Sequence, residues 1–154
     1  MKEKITVLIA DDNQDFTNTL TGYLKKDPEM EIVGVAKDGN EAIEMIENVL
    51  PDVAILDVIM PHLDGLGVLE RINNSTIKKR PITIMLSAVG QDKVTQRAIA
   101  LGAQYYVVKP CDIELLIKRI KTEQLHLLIL QLILKDYSVI FLGQPQAKPL
   151  TAFR

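Results

Sequence analysis

Four side chains able to act together chemically stand at the ends of three short apolar runs. Asp57 closes Val53-Ala54-Ile55-Leu56, the pair Asp11-Asp12 closes Ile5 to Ala10, and Lys109-Pro110 closes Tyr105 to Val108. If the runs are parallel strands, these charges gather at the carboxyl edge of a sheet, where open α/β folds bind ligands. An isolated ion is very costly to bury, so each charge needs a partner. A divalent metal and a phosphoryl group would together satisfy all four. Three carboxylates without a nearby histidine or thiolate suit a hard cation, Mg2+ above all, with Ca2+ or Mn2+ as substitutes. Zinc fits poorly, because His62 and His126 are far apart in sequence and Cys111 stands alone.

Asp57 is the best nucleophile, since a carboxylate can accept a phosphoryl group as an acyl phosphate. A metal would offset the repulsion between the two anions. The plainer alternative makes Asp57 a metal ligand only. Lys109 supplies a point charge able to reach a phosphoryl oxygen or a carboxylate, and a cis bond before Pro110 would fix its direction. Ser87, after the run Ile82 to Leu86, could donate to a phosphoryl oxygen or serve as a turn residue. No G-x-S-x-G surrounds it, so a hydrolase nucleophile is a poor reading. Tyr106 is either a core aromatic or a ring that swings as Ser87 moves. In the turn Met60 to Gly65, Asp64 and Gly65 are expected to be structural and His62 solvent-exposed.

The elements that must position these residues alternate regularly. Ile5–Ala10, Ile32–Ala36, Val53–Leu56, Ile82–Leu86 and Tyr105–Val108 are short, rich in β-branched or aromatic residues, and read as strands mostly buried on both faces. Between them run helical stripes: Phe16, Leu20, Leu24; Ala42, Ile43, Ile46, Leu50; Leu66, Leu69, Ile72; Val94, Ala98, Leu101; and Ile113, Leu116, Ile117, Ile120. Asn13 suits an N-cap, Gly102 a C-terminal cap, and Asp112 the start of the fifth helix. Five strand–helix units predict an α/β, doubly wound, flavodoxin-like parallel sheet of order 2-1-3-4-5, which makes strands 1 and 3 neighbours. No G-x-G-x-x-G follows the first strand, which disfavours the dinucleotide-binding order.

The chain has 154 residues, 47% hydrophobic and 25% charged, with net charge −2. That suits one globular domain and gives no basic field for nucleic acid. One cysteine allows no internal disulfide, and the first ten residues hold three charges and no export-type apolar core. A cytoplasmic location is the expectation. After about residue 121 the pattern changes. Leu125 to Leu134 is apolar at eight of ten positions, Tyr137 to Leu142 adds another run, and Gly143 to Arg154 carries two prolines and looks like an extended tail. Polar interruptions argue against a membrane span. A helix apolar all round must be covered, and burial against another copy is favoured over its own domain or a membrane surface.

Asp11-Asp12, Asp57-Val58-Ile59-Met60-Pro61, Asp64-Gly65, Ser87-Ala88 and Lys109-Pro110 occur in this order and at receiver-like spacing over residues 4–121. The chain thereby resembles the receiver domains of two-component response regulators. Pro61 to Leu66, Val68 to Arg71 and Gly90 to Thr95 look like the receivers of stage-zero sporulation regulators in spore-forming Firmicutes. The resemblance implies phosphorylation of Asp57 by a phosphohistidine phosphotransferase or histidine kinase. It implies Mg2+ ligation by Asp12, Asp57 and the Ile59 carbonyl, with Asp11 helping directly or through water. It makes Ser87 and Tyr106 a switch pair and Lys109 the phosphoryl-binding lysine, with dimerisation and control of transcription downstream. The expected division is a receiver over 1–121 and an atypical apolar extension over 122–154. The extension should prolong the fifth helix and promote homodimers, with helix exchange one route, and no DNA-binding output domain is assigned. Two other functions compete: a Mg2+-dependent aspartyl phosphohydrolase, disfavoured because Ile59 stands where a second Asp would serve, and a phosphorylation-independent interaction module. The expectation is a signalling domain and not an enzyme acting on an external substrate.

Overall fold

In the computed structural model, which describes residues 3–142 and the side chains of 3–135, five strands alternate with five helices. They run β1 (Ile5–Ala10), α1 (Gln14–Lys25), β2 (Met30–Ala36), α2 (Gly39–Val49), β3 (Val53–Leu56), α3 (Gly65–Asn73), β4 (Ile82–Ser87), α4 (Asp92–Ala100), β5 (Tyr105–Val108) and α5 (Ile113–Leu142). Every ladder is parallel and the order is β2-β1-β3-β4-β5, as the alternation of elements predicts.

Side chains of a strand point alternately to its two faces, and the core divides accordingly. Val7, Ile9, Val53, Ile55, Ile84 and Leu86 meet Leu20 and Leu24 of α1 and Leu116 and Ile120 of α5. Leu8, Ala10, Ala54, Leu56 and Met85 meet α2, α3 and α4. Asn13 caps α1 by accepting from the Phe16 amide, Asp38 caps α2, and Asp64 caps α3 through the Gly67 amide at 2.7 Å. Gly102 follows α4 at φ +97°, a conformation suited to glycine.

The structure departs from the expectations in two places. Strand β2 starts two residues earlier, because Met30 and Glu31 pair with Ile5 and Thr6. Strands β2 and β5 are only half-buried, since each is an edge with a neighbour on one side. Helix α5 continues through the apolar extension to Leu142, as expected, and from Leu125 to Lys135 every side chain is exposed. The expected tail, Gly143 to Arg154, lies outside the described residues.

Candidate functional site at the carboxyl edge

Register brings the site together. Ala10 pairs with Leu56, so Asp11 and Asp57 leave adjacent strands side by side; Ser87 pairs with Val108, so Lys109 leaves beside Ser87. The Asp57 amide donates to the Ala10 carbonyl at 2.9 Å and the Lys109 amide to the Ser87 carbonyl at 2.8 Å. Gly65 lets α3 approach closely, because a Cβ there would lie 2.2 Å from the Asp57 carbonyl oxygen. The Lys109-Pro110 bond is cis.

Asp11, only 4% exposed, accepts from the Asn13 amide at 2.8 Å through Oδ1 and from Lys109 Nζ at 2.5 Å through Oδ2. Burial pushes its carboxyl above the ordinary range, although Lys109 and the Asn13 amide pull the other way. Lys109 Nζ also stands 3.3 Å from Asp57 Oδ2 and 3.9 Å from the centroid of the Phe16 ring. Asp57 Oδ1 accepts from the Ile59 amide at 3.2 Å, and the Ile59 side chain is exposed. Asp12 is exposed at the rim. Oxygens of Asp11, Asp12 and Asp57 all lie within 4.8 Å of one another. This all-oxygen set, without nitrogen or sulfur, fits a hard divalent cation such as Mg2+.

Ser87 is the last residue of β4 and is buried, its Oγ accepting from the Val89 amide at 3.3 Å. The Tyr106 hydroxyl donates to the Val89 carbonyl, and burial raises its pKa above the ordinary phenol value. Both residues therefore hold Val89 in the loop after β4, Ser87 through its amide and Tyr106 through its carbonyl, and Tyr106 makes no hydrogen bond to the carboxylates. Asp64 and Gly65 are structural and His62 is exposed in its turn. Sequence reasoning missed Phe16 as a site neighbour. Its spacing with Leu20 and Leu24 marks it as core, and only the sheet order shows that the ring meets Lys109.

The chain belongs to the response regulator receiver domain family, whose model matches residues 7–121. Similar solved structures include the response regulator domain of CheB from Thermotoga maritima, at 29% identity over 78% of this chain and 96% of that one, TM-score 0.71. A chain of the CheX–CheY–BeF3–Mg2+ complex from Borrelia burgdorferi shares 30% identity over 78% of this chain and 89% of its own, TM-score 0.69. The receiver domain of a DNA-binding response regulator from Colwellia psychrerythraea shares 31% over 77% and 97%, TM-score 0.70. Among the described residues no helix is long and apolar enough to cross a membrane.

Proposed function

We propose that this chain is a phosphoacceptor receiver in which Asp57 takes a phosphoryl group from a phosphohistidine on a phosphotransferase or histidine kinase. The observation that carries the reading is the placement of Lys109, whose ammonium lies within hydrogen-bond reach of both Asp11 and Asp57 beside an acidic cluster. An Asp57 oxygen bonds to phosphorus as the P–N bond breaks, and the imidazole leaves with the electron pair. Asp12, Asp57 and the Ile59 carbonyl, with Asp11 directly or through water, would hold Mg2+, which when bound would supply positive charge against the carboxylate and phosphoryl oxygens. Lys109 shifts its hydrogen bond from the Asp57 carboxylate to a phosphoryl oxygen. The Ser87 hydroxyl turns from the Val89 amide to the phosphoryl group, which frees the loop that Tyr106 also holds.

The likeness of Pro61 to Leu66 and Gly90 to Thr95 to sporulation regulators supports a place in a cytoplasmic sporulation phosphorelay that controls transcription. The BeF3 and Mg2+ of the Borrelia CheY complex support the metal and phosphoryl parts of the reading. Residues 1–121 form the receiver and 122–154 an extension for self-association, supported by eight Leu and Ile side chains between Leu125 and Leu134 that are 39–66% exposed. Exchange of α5 between copies is one geometry for that dimer.

Incubation with Mg2+ and acetyl phosphate, followed by intact-mass measurement, is expected to add one phosphoryl group to the native chain and none to Asp57→Asn. An unmodified native chain, also after exposure to a phosphohistidine donor, would overturn the reading.

A further inference from the structure

Phe16 touches the phosphoryl-binding lysine but has no part in the scheme above. Its amide donates to the Asn13 side chain at 3.1 Å, and the Asn13 amide donates to Asp11 Oδ1 at 2.8 Å. The loop that orients the Asp11 carboxylate therefore also sets the position of the ring. The ring centroid lies 3.9 Å from Lys109 Nζ, well inside cation–π range. With the Lys109 side chain only 17% exposed, the ammonium is largely shielded from water, where such contacts are strongest. Lysine's flexible four-carbon stem does not fix the charge by itself. Asp11, at 2.5 Å, and Asp57, at 3.3 Å, also pull on it, and both would give up part of that role when a metal and a phosphoryl group bind. The ring is a partner whose attraction does not depend on either carboxylate.

We infer that Phe16 is a positioning residue for Lys109, its ring keeping the ammonium at the carboxyl edge so that the charge is in place as the phosphoryl group arrives on Asp57. The rate consequence rests on the phosphoacceptor reading; the placement of the lysine does not. Leucine fills much of the same space without a π face, whereas tyrosine retains the face.

The test uses the full chain with isotope-labelled lysine, the Lys109 signals being assigned by Lys109→Arg. Ring current is expected to move the Lys109 ε-methylene protons upfield in the native chain and in Phe16→Tyr, and Phe16→Leu returns them to the ordinary lysine position. With acetyl phosphate and saturating Mg2+, Phe16→Leu is expected to lower the maximal phosphorylation rate about three- to tenfold, leaving the half-saturating donor concentration unchanged. Phe16→Tyr restores the rate. A Lys109 shift unchanged by Phe16→Leu overturns the inference, as does a lost shift with an unaltered rate. If Phe16→Leu loses the native far-UV spectrum, Phe16→Met makes the same comparison. No adduct on the native chain overturns the phosphoacceptor reading together with the rate effect, whereas equal rates in native and variant chains overturn this inference alone.

Discussion

Asp11, Asp12 and Asp57 repel one another at short range, and the Lys109 ammonium pairs with Asp11 and Asp57 but not with the exposed Asp12. Without a metal, Asp12 therefore adds repulsion to the folded state. Asp12→Ala is expected to raise the Tm of the metal-free chain by about 2–4 °C, the shift that roughly 1 kcal/mol gives at this size. The native chain should gain about 2.7 kcal/mol at Mg2+ one hundredfold above its Kd, and the variant far less at the same concentration. Calorimetry with and without Mg2+ measures both; a variant that keeps the full Mg2+ increment would remove Asp12 from the ligand set. Much of this cluster was legible because each acid or lysine directly follows an apolar run, so the strand assignments carried the charges to one edge. What Ser87 and Phe16 touch was not legible. A serine after Leu86 reads equally as strand end or turn, and its burial depends on the loop that folds over it.

Among the elements, the opposite edge of the sheet has its own anchor. The Asp52 carboxylate accepts from the Thr6 amide at 2.9 Å, the Thr6 hydroxyl at 3.0 Å and Lys79, tying β1 to the start of β3 and to the loop before β4. Burial works to raise its pKa, but Lys79 and Thr6 outweigh it, and the carboxyl lies below its ordinary value of 3.8. A depressed carboxylate pKa contributes stability that is present above the unfolded value and lost as pH falls through the folded one. Asp52→Asn is thus expected to cost about 1–3 kcal/mol at pH 7. Native and variant stabilities should converge as the pH drops below that of the unfolded carboxyl. Urea unfolding at neutral and acid pH checks this, and a gap that persists in acid would contradict the linkage. Strand order and helix faces followed from the alternation of apolar residues. The prolongation of α5 followed as well, since the leucine-rich run after Lys121 is made of strong helix formers. Which side of it is covered did not, because after Lys121 the stripe dissolves and no periodic face marks a packing side.

At the scale of the whole molecule, α5 starts near the carboxyl edge and leaves the domain at the other end. Lys121 pairs with Asp27 at 2.7 Å and Glu29 at 2.8 Å, and the Gln124 side chain donates to the Asp52 carbonyl at 3.4 Å. A groove lined by Ile5, Pro28, Leu125 and Leu128, among others, opens where the helix departs. Leu132 and Leu134, the most exposed of the described apolar side chains on α5, are 64% and 66% exposed. Light scattering is expected to show dimers of the native chain and monomers of Leu132→Glu/Leu134→Glu, with the Tm of the receiver little changed. Dimers that survive both charges, or truncation after Lys121, would place self-association elsewhere.

The same ion pairs at Lys121 make α5 a lever with unequal arms. From Ile113 to Lys121 is about 12 Å of helix and from Lys121 to Leu142 about 31 Å, at the standard rise per residue. A tilt pivoting on Asp27 and Glu29 would therefore swing the far tip roughly two and a half times as far as the end beside the acidic cluster.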